Sequence, residues 1–223
     1  MTRAYIEDSA QQLSMVTKIS GNGLDVGSGR GTLALALAHR GISMTAVDLL
    51  PEMSRLTREN AAAEGVADLI STVTGDFRTA PLRHGGFDVI VVSAIPELTE
   101  DLLGLFVKFR GLLNAGGELV VMFMNDAALP KRWNSKRYKG HPRYRYIHSF
   151  SDVYSGAVSA GLVHDSSIYF EYRYLLSYWR PGIKLIRGKM FLEPLFESGF
   201  SKLARYTSSR KLLARVVVHR FVT

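Results

Sequence analysis

One stretch constrains this chain more than any other. Leu24-Asp25-Val26-Gly27-Ser28-Gly29-Arg30-Gly31-Thr32-Leu33 runs from an apolar strand pattern through three alternate glycines into an Ala- and Leu-rich helical pattern. Glycine lets the backbone turn sharply and approach a ligand closely, and a helix start offers unpaired N–H groups. A dinucleotide fingerprint would want glycine at 27, 29 and 32, but Thr32 fills the last place. Instead an acid, Asp25, stands two residues before the first glycine of a G-x-G-x-G run.

Strand and helix patterns alternate around this junction. Residues 23–26 predict a buried strand, 32–40 a helix, and 44–47 a second strand ending at Asp48. Pro51 suits the first turn of a helix running to about residue 64, where Gly65 stops it. Residues 69–74 and the continuous apolar run 87–93 predict two more strands, the second covered on both faces. A helix over 97–113, a turn at Asn114-Ala115-Gly116-Gly117 and a fifth strand over 118–124 follow. Such alternation argues for right-handed crossovers and a parallel sheet. Beyond it come a loop over 130–148, a helix over 150–160 capped by Ser151 and stopped by Gly161, and a strand over 163–176. Residues 181–214 are broken and amphipathic, and 216–222 predict a last strand.

The run LDVGSGRGTLALALA resembles the first motif of the class I S-adenosylmethionine (SAM)-dependent methyltransferases, and further segments resemble that family in order and spacing. TAVDLLPEM is similar to its second motif, VTGDFR to its adenine-contacting segment, and FDVIVVSAIPEL and LLNAGGELVVMF to its fourth and fifth strands. HSFSDVYSGAVSAGL resembles the late helix before the antiparallel hairpin strands. The likeness is clear over 20–124, weaker to 176 and nearly absent over 177–214. It implies an α/β fold, a Rossmann-like seven-stranded, mostly parallel sheet with helices on both faces and an antiparallel C-terminal hairpin strand. It implies one domain over 1–223, with a SAM-binding part (1–126), an acceptor-side loop, helix and strand (127–176), a lid-like insertion (177–214) and a last strand (215–223).

By the same resemblance SAM is the cofactor. Asp25 and the Gly27 backbone would handle its amino-acid end, with Ser28 and Gly29 also among the cofactor-binding residues. Asp48, followed by Leu49, would accept the ribose hydroxyls, a task suited to an acceptor-only carboxylate. Asp76 would meet the exocyclic amine, Phe77 the adenine ring, and Ser93 the place where cofactor and acceptor approach. Ser93-Ala94-Ile95-Pro96 departs from the Asn/Asp-Pro-Pro-aromatic segment of enzymes that methylate exocyclic base amines.

Methyl transfer from a sulfonium is an in-line displacement in which alignment and exclusion of water do most of the work. A hydroxyl acceptor gains from a base. His148 and His141 follow the fifth strand and are the candidate bases; His148 alternatively orders the turn before its helix, and His141 is alternatively a solvated loop residue. Glu97 is a candidate partner for an amine acceptor, or an acid favouring the start of its own helix. Histidines and acids are scattered, so no metal site is expected.

Composition bears on the acceptor. The 223 residues carry a net charge of +8, yet residues 1–126 sum to −5 and residues 127–223 to +13. A basic half implies an anionic partner or surface. Lys131, Arg132, Lys136, Arg137, Lys139, Arg143 and Arg145 alternate with Trp133, Tyr138, Tyr144 and Tyr146, and residues 178–206 mix aromatics with Lys and Arg. The expected activity is methylation of oxygen or nitrogen on a small acceptor, of an anionic, hydrophobic or lipid-linked kind. The alternatives are an RNA methyltransferase using the aromatic, basic loop 131–148, or a non-catalytic SAM-binding module. The segment 178–206 could also lie on an anionic bilayer. With no Cys, no signal-peptide core and no apolar run near the roughly 20 residues of a bilayer span, the expected location is the cytoplasm, with peripheral membrane contact left open.

Overall fold

The computed structural model describes residues 3–124, 146, 148–170 and 216–223, with the backbone alone for 3–8, 97, 170 and 216. Expectations for the loop up to residue 145, including His141, for the strand end 171–176 and for the amphipathic segment 181–214 lie outside the described residues.

The described elements are α1 (Arg3–Ser14), β1 (Asn22–Val26), α2 (Thr32–Ala38), β2 (Ser43–Asp48), α3 (Pro51–Ala63), β3 (Ile70–Thr74), β4 (Phe87–Ser93), α4 (Leu102–Leu112), β5 (Leu113–Met124), α5 (Phe150–Ser159), β6 (Val163–Phe170) and β7 (Val216–Val222). The strands form one seven-stranded sheet in the order β3-β2-β1-β4-β5-β7-β6. β1 to β5 are parallel, while β7 runs antiparallel to both β5 and β6. The sheet is the Rossmann-like one that the sequence predicts.

Successive strand side chains point to opposite faces, and both faces are buried here. Ile90, Val92, Leu119, Val121 and Phe123 pack against Phe106 and Phe109 of α4 and Val153 of α5. Val89, Val91, Val120 and Met122 pack against Leu33, Leu35 and Leu37 of α2, and against Met15 and Val16 just beyond α1. Truncating a buried ring such as Phe106 to Ala is expected to cost about 3–5 kcal/mol.

Three local expectations are corrected. The helix expected over 97–113 begins at Leu102, after a 3-10 turn at Pro96–Leu98, because the Asp101 side chain caps it by accepting from Gly104 N at 2.8 Å. The turn expected at 114–117 is the irregular opening of β5: pairing jumps from Phe87↔Leu113 to Val89↔Glu118, with Gly116 left-handed at φ 70°. The cap of α5 is Ser149, not Ser151; Ser149 Oγ accepts from Asp152 N, and Ser149 N donates to the Asp152 carboxylate. Helix α1 has no counterpart in the sequence reading.

Candidate active site

The parallel strands β1, β2 and β4 end together at Val26, Asp48 and Ser93, and the glycine turn leaves β1 at this edge. Gly27 N and Ser28 N both donate to Val47 O, at 2.8 and 3.0 Å, so the turn is stapled to β2. Thr57 and Asn60 of α3 donate to the carbonyls of Gly29 and Arg30. All three glycines are left-handed, at φ 72°, 53° and 85°, a region that costs side-chain-bearing residues about 1–2 kcal/mol. Their surroundings differ. A Cβ at Gly27 would stand 2.8 Å from Ile95 Cδ1, and one at Gly31 2.6 Å from Leu35 Cδ1, whereas Gly29 faces open space. Ser28 Oγ is buried without a hydrogen-bond partner.

Three acids stand at or just beyond the ends of β1, β2 and β3. Asp25 is 2% exposed and accepts from Ala34 N at 3.1 Å. Burial pushes its carboxyl up to about 7, with the Asp48 charge adding to the rise and the Ala34 hydrogen bond opposing it. Asp48 accepts from Gly29 N at 2.8 Å through Oδ2 and from Leu50 N at 3.0 Å through Oδ1. A carboxylate has about four lone-pair sites, so each Asp48 oxygen keeps one for another donor. Asp76 is gripped by the Arg78 guanidinium, with Nε 2.9 Å from Oδ1, and that contact holds its carboxyl below the usual range. Leu49 is 67% exposed beside Asp48.

Phe77 is half-buried and stacks on Phe109, ring centroids 5.6 Å apart, so its ring belongs to the core side of this edge. Ser93 Oγ donates to Gln12 Oε1 at 2.6 Å. Gln12, 0% exposed, sends its Nε2 protons to Val92 O and Val120 O at 2.9 and 3.1 Å, fastening α1 to the ends of β4 and β5. Ala94, next after β4, is left-handed at φ 57°, and its N–H donates to Met122 O. His148 Nε2 lies 3.0 Å from Pro96 O and 2.8 Å from Thr99 O, so it orders the turn between β4 and α4. Both partners only accept, so Nε2 carries the proton.

The structure thus gathers Asp25, Gly27, Ser28, Gly29, Asp48, Leu49 and Ser93 around one strand edge, with Asp76 just beyond β3. A buried unpartnered hydroxyl, an open glycine face and acceptor-only carboxylates suit a ligand rich in donors and positive charge. Gln12, Ala94, Ile95 and Arg78 were not anticipated as part of the site. Only the buried polar contacts reveal Gln12; its sole sequence signal is an amide two residues before the apolar Ser14-Met15-Val16 stretch. Among the described residues no group of three or more His, Asp or Glu could hold a metal ion, and no helix is long and apolar enough to cross a membrane.

Residues 24–121 match the family model of the methyltransferase domain. Ribosomal protein L11 methyltransferase of Citrifermentans bemidjiense is 37% identical over 124 residues, 54% of this chain and 39% of that protein. Ubiquinone biosynthesis O-methyltransferase of Xanthomonas campestris pv. campestris is 32% identical over 108 residues, 46% of this chain and 42% of that protein. The chain therefore spans about two fifths of the length of these curated relatives. Geranyl diphosphate C-methyltransferase of Streptomyces coelicolor A3(2), solved with Mg2+, geranyl diphosphate and S-adenosyl-L-homocysteine, superposes with a TM-score of 0.71 at 17% identity, covering 99% of this chain and 79% of that one. Phosphoethanolamine N-methyltransferase 2 of Haemonchus contortus gives 0.67 at 17%, covering 96% and 52%. At these identities the structural likeness shows the fold.

Proposed function

We propose that this chain, whose residues 24–121 match the methyltransferase domain model, is a class I SAM-dependent methyltransferase and that it methylates oxygen or nitrogen of a small anionic or amphiphilic acceptor. SAM, when bound, supplies an electrophilic methyl on a sulfonium. In this reading Asp48 accepts from the ribose hydroxyls with the lone pairs that Gly29 and Leu50 leave open. Leu49 offers apolar surface to the adenine ring and Asp76 an acceptor to its amine, shared with Arg78. Asp25, Gly27, Ser28 and Gly29 hold the amino-acid end, where Ser28 Oγ gains the partner it lacks. The Asp48 carboxylate favours a cationic ligand over an anionic one. Alignment of the reacting atoms can supply up to about 7–11 kcal/mol, so no fixed base is required.

The observation that carries the acceptor class is the placement of charge. The register pairs Met124 with Val216 and Val216 with Phe170, at the same edge as Ser93. In sequence, residues 125–147 follow Met124 and residues 171–215 follow Phe170, and the two stretches sum to +6 and +7. The positive surplus of the sequence therefore falls in the two stretches joined in sequence to this edge. C-methylation of an isoprenoid diphosphate, the activity named for the Streptomyces neighbour, and N-methylation of a phosphorylated amine, named for the Haemonchus one, illustrate anionic acceptors on this fold.

Incubation of the purified protein with methyl-labelled SAM and a fractionated metabolite and lipid extract tests the reading. Label in an anionic or amphiphilic small-molecule fraction is expected. Label in RNA, with binding that falls steeply with salt, would replace this acceptor with a nucleic acid. SAM binding without transfer to any fraction would leave a silent binding module.

A further inference from the structure

We infer that His148 is a positioning residue and that it couples the start of α5 to the glycine turn. The inference rests on the methyltransferase reading above and adds a role to one residue of that site.

Its Nε2 N–H is shared between Pro96 O and Thr99 O. A nitrogen that already carries its proton cannot take another, so this atom is no acceptor for a substrate proton. The two carbonyls bracket the 3-10 turn Pro96–Leu98. Immediately before that turn stands Ile95, whose Cδ1 occupies the space over Gly27, 2.8 Å from where a Cβ would be. One residue earlier, Ala94 holds a left-handed φ of 57°. Such a conformation persists where its surroundings over-determine it. Here Met122 O fixes it from the β5 side, and His148 grips the far end of the same loop.

On its other side His148 abuts the capping box of α5, Ser149 with Asp152, and follows directly the segment 125–147 whose sequence sums to +6. A continuous path therefore runs from the capping box of α5, through His148, the carbonyls of Pro96 and Thr99 and the Ile95 side chain, to Gly27. Displacing His148 releases Ile95 from the glycine turn, and the cofactor end of the site loosens.

The test is calorimetric affinity for S-adenosylhomocysteine at 25 °C, on variants that thermal melting shows to be folded. His148→Ala is expected to weaken binding about tenfold, or about 1.4 kcal/mol. His148→Gln, whose amide can donate to the same carbonyls, is expected to stay within about threefold of the parent. Ile95→Ala should weaken binding to a similar degree as His148→Ala. The double variant should bind no worse than the weaker single one, because both remove the same support. Parent-like affinity in His148→Ala, or losses that multiply in the double variant, would overturn the inference. So would a His148→Gln protein that binds S-adenosylhomocysteine normally and has lost methyl transfer, which is the signature of a base. If His148→Ala does not fold, folded His148→Gln with binding weakened more than tenfold is also contrary, and threefold or less is supporting. Failure of the parent protein to bind S-adenosylhomocysteine would overturn the methyltransferase reading instead.

Discussion

The N–H of Gly29 donates to Asp48 Oδ2 at 2.8 Å, so the most open glycine of the turn and the acid at the end of the neighbouring strand are one unit. Asp48→Ala removes that acceptor and the one facing Leu50 N. The expected result is a SAM affinity weaker by roughly tenfold or more, about 1.4 kcal/mol, through the loss of charge-assisted hydrogen bonds. Titration calorimetry checks it; an unchanged affinity removes Asp48 from the site.

The glycines of the turn separate stability from binding. Gly31→Ala meets Leu35 and Thr57 in addition to its left-handed φ. It should lose about 1–3 kcal/mol beyond the backbone strain. Gly29→Ala meets nothing within 4 Å, so it should lose only the strain, about 1–2 kcal/mol. In the proposed binding mode the new methyl group would stand in the ligand's space, and SAM affinity should fall by about tenfold or more. Denaturant unfolding and binding on the same two variants decide the point; equal binding losses would contradict it.

Asp25 makes stability depend on pH in a definite direction. Its carboxyl is raised from 3.8 to about 7 by burial. The folded state therefore keeps this proton where the unfolded chain has released it. Stability from this group is complete below pH 4, falls as the pH rises to 7 and is level above. At about 1.4 kcal/mol per unit the loss is bounded at about 4 kcal/mol. Asp25→Asn keeps an acceptor for Ala34 N without a charge. Unfolding free energies of the two proteins, compared from pH 4 to 8, should diverge below pH 7 and then run parallel. A constant difference would refute the assignment.

Gln12 satisfies three groups at once: Val92 O, Val120 O and Ser93 Oγ. Gln12→Ala leaves these buried groups without their partner, which should cost about 1–3 kcal/mol. Because Ser93 lies at the candidate site, the same variant should also alter SAM affinity. A stability loss below about 0.5 kcal/mol in denaturant unfolding would show that α1 is not fastened this way.

The parts of the fold that follow from period and punctuation were legible in the sequence. β4 reads as a doubly buried strand because Val89 to Val92 is an unbroken apolar run, and β7 appears at its full length, Val216–Val222. The glycine turn and the acids Asp25, Asp48 and Asp76 stand out in the sequence because each sits at or just beyond the end of a strand pattern. What escaped depends on contacts distant in sequence. Gln12 acts on residues 80 and 108 positions away. The β5 opening is irregular because Gly116 and Gly117 let extra residues fold into the strand, which a local pattern reads as a turn. His148 reads as a base in isolation, and only the two carbonyls beneath its ring give it another role.

The position of β7 has a consequence for the order of assembly. β7 lies between β5 and β6, and β6 pairs with no other described strand. β6 therefore cannot join the sheet by pairing until residues 216–222 have found β5. Five parallel strands can nucleate from near neighbours, whereas the last two wait on a contact across 92 positions, from Met124 to Val216. Such distant pairings are the slow ones. The half of the chain bearing the glycine turn can condense first, and the edge that carries the basic segments closes behind it.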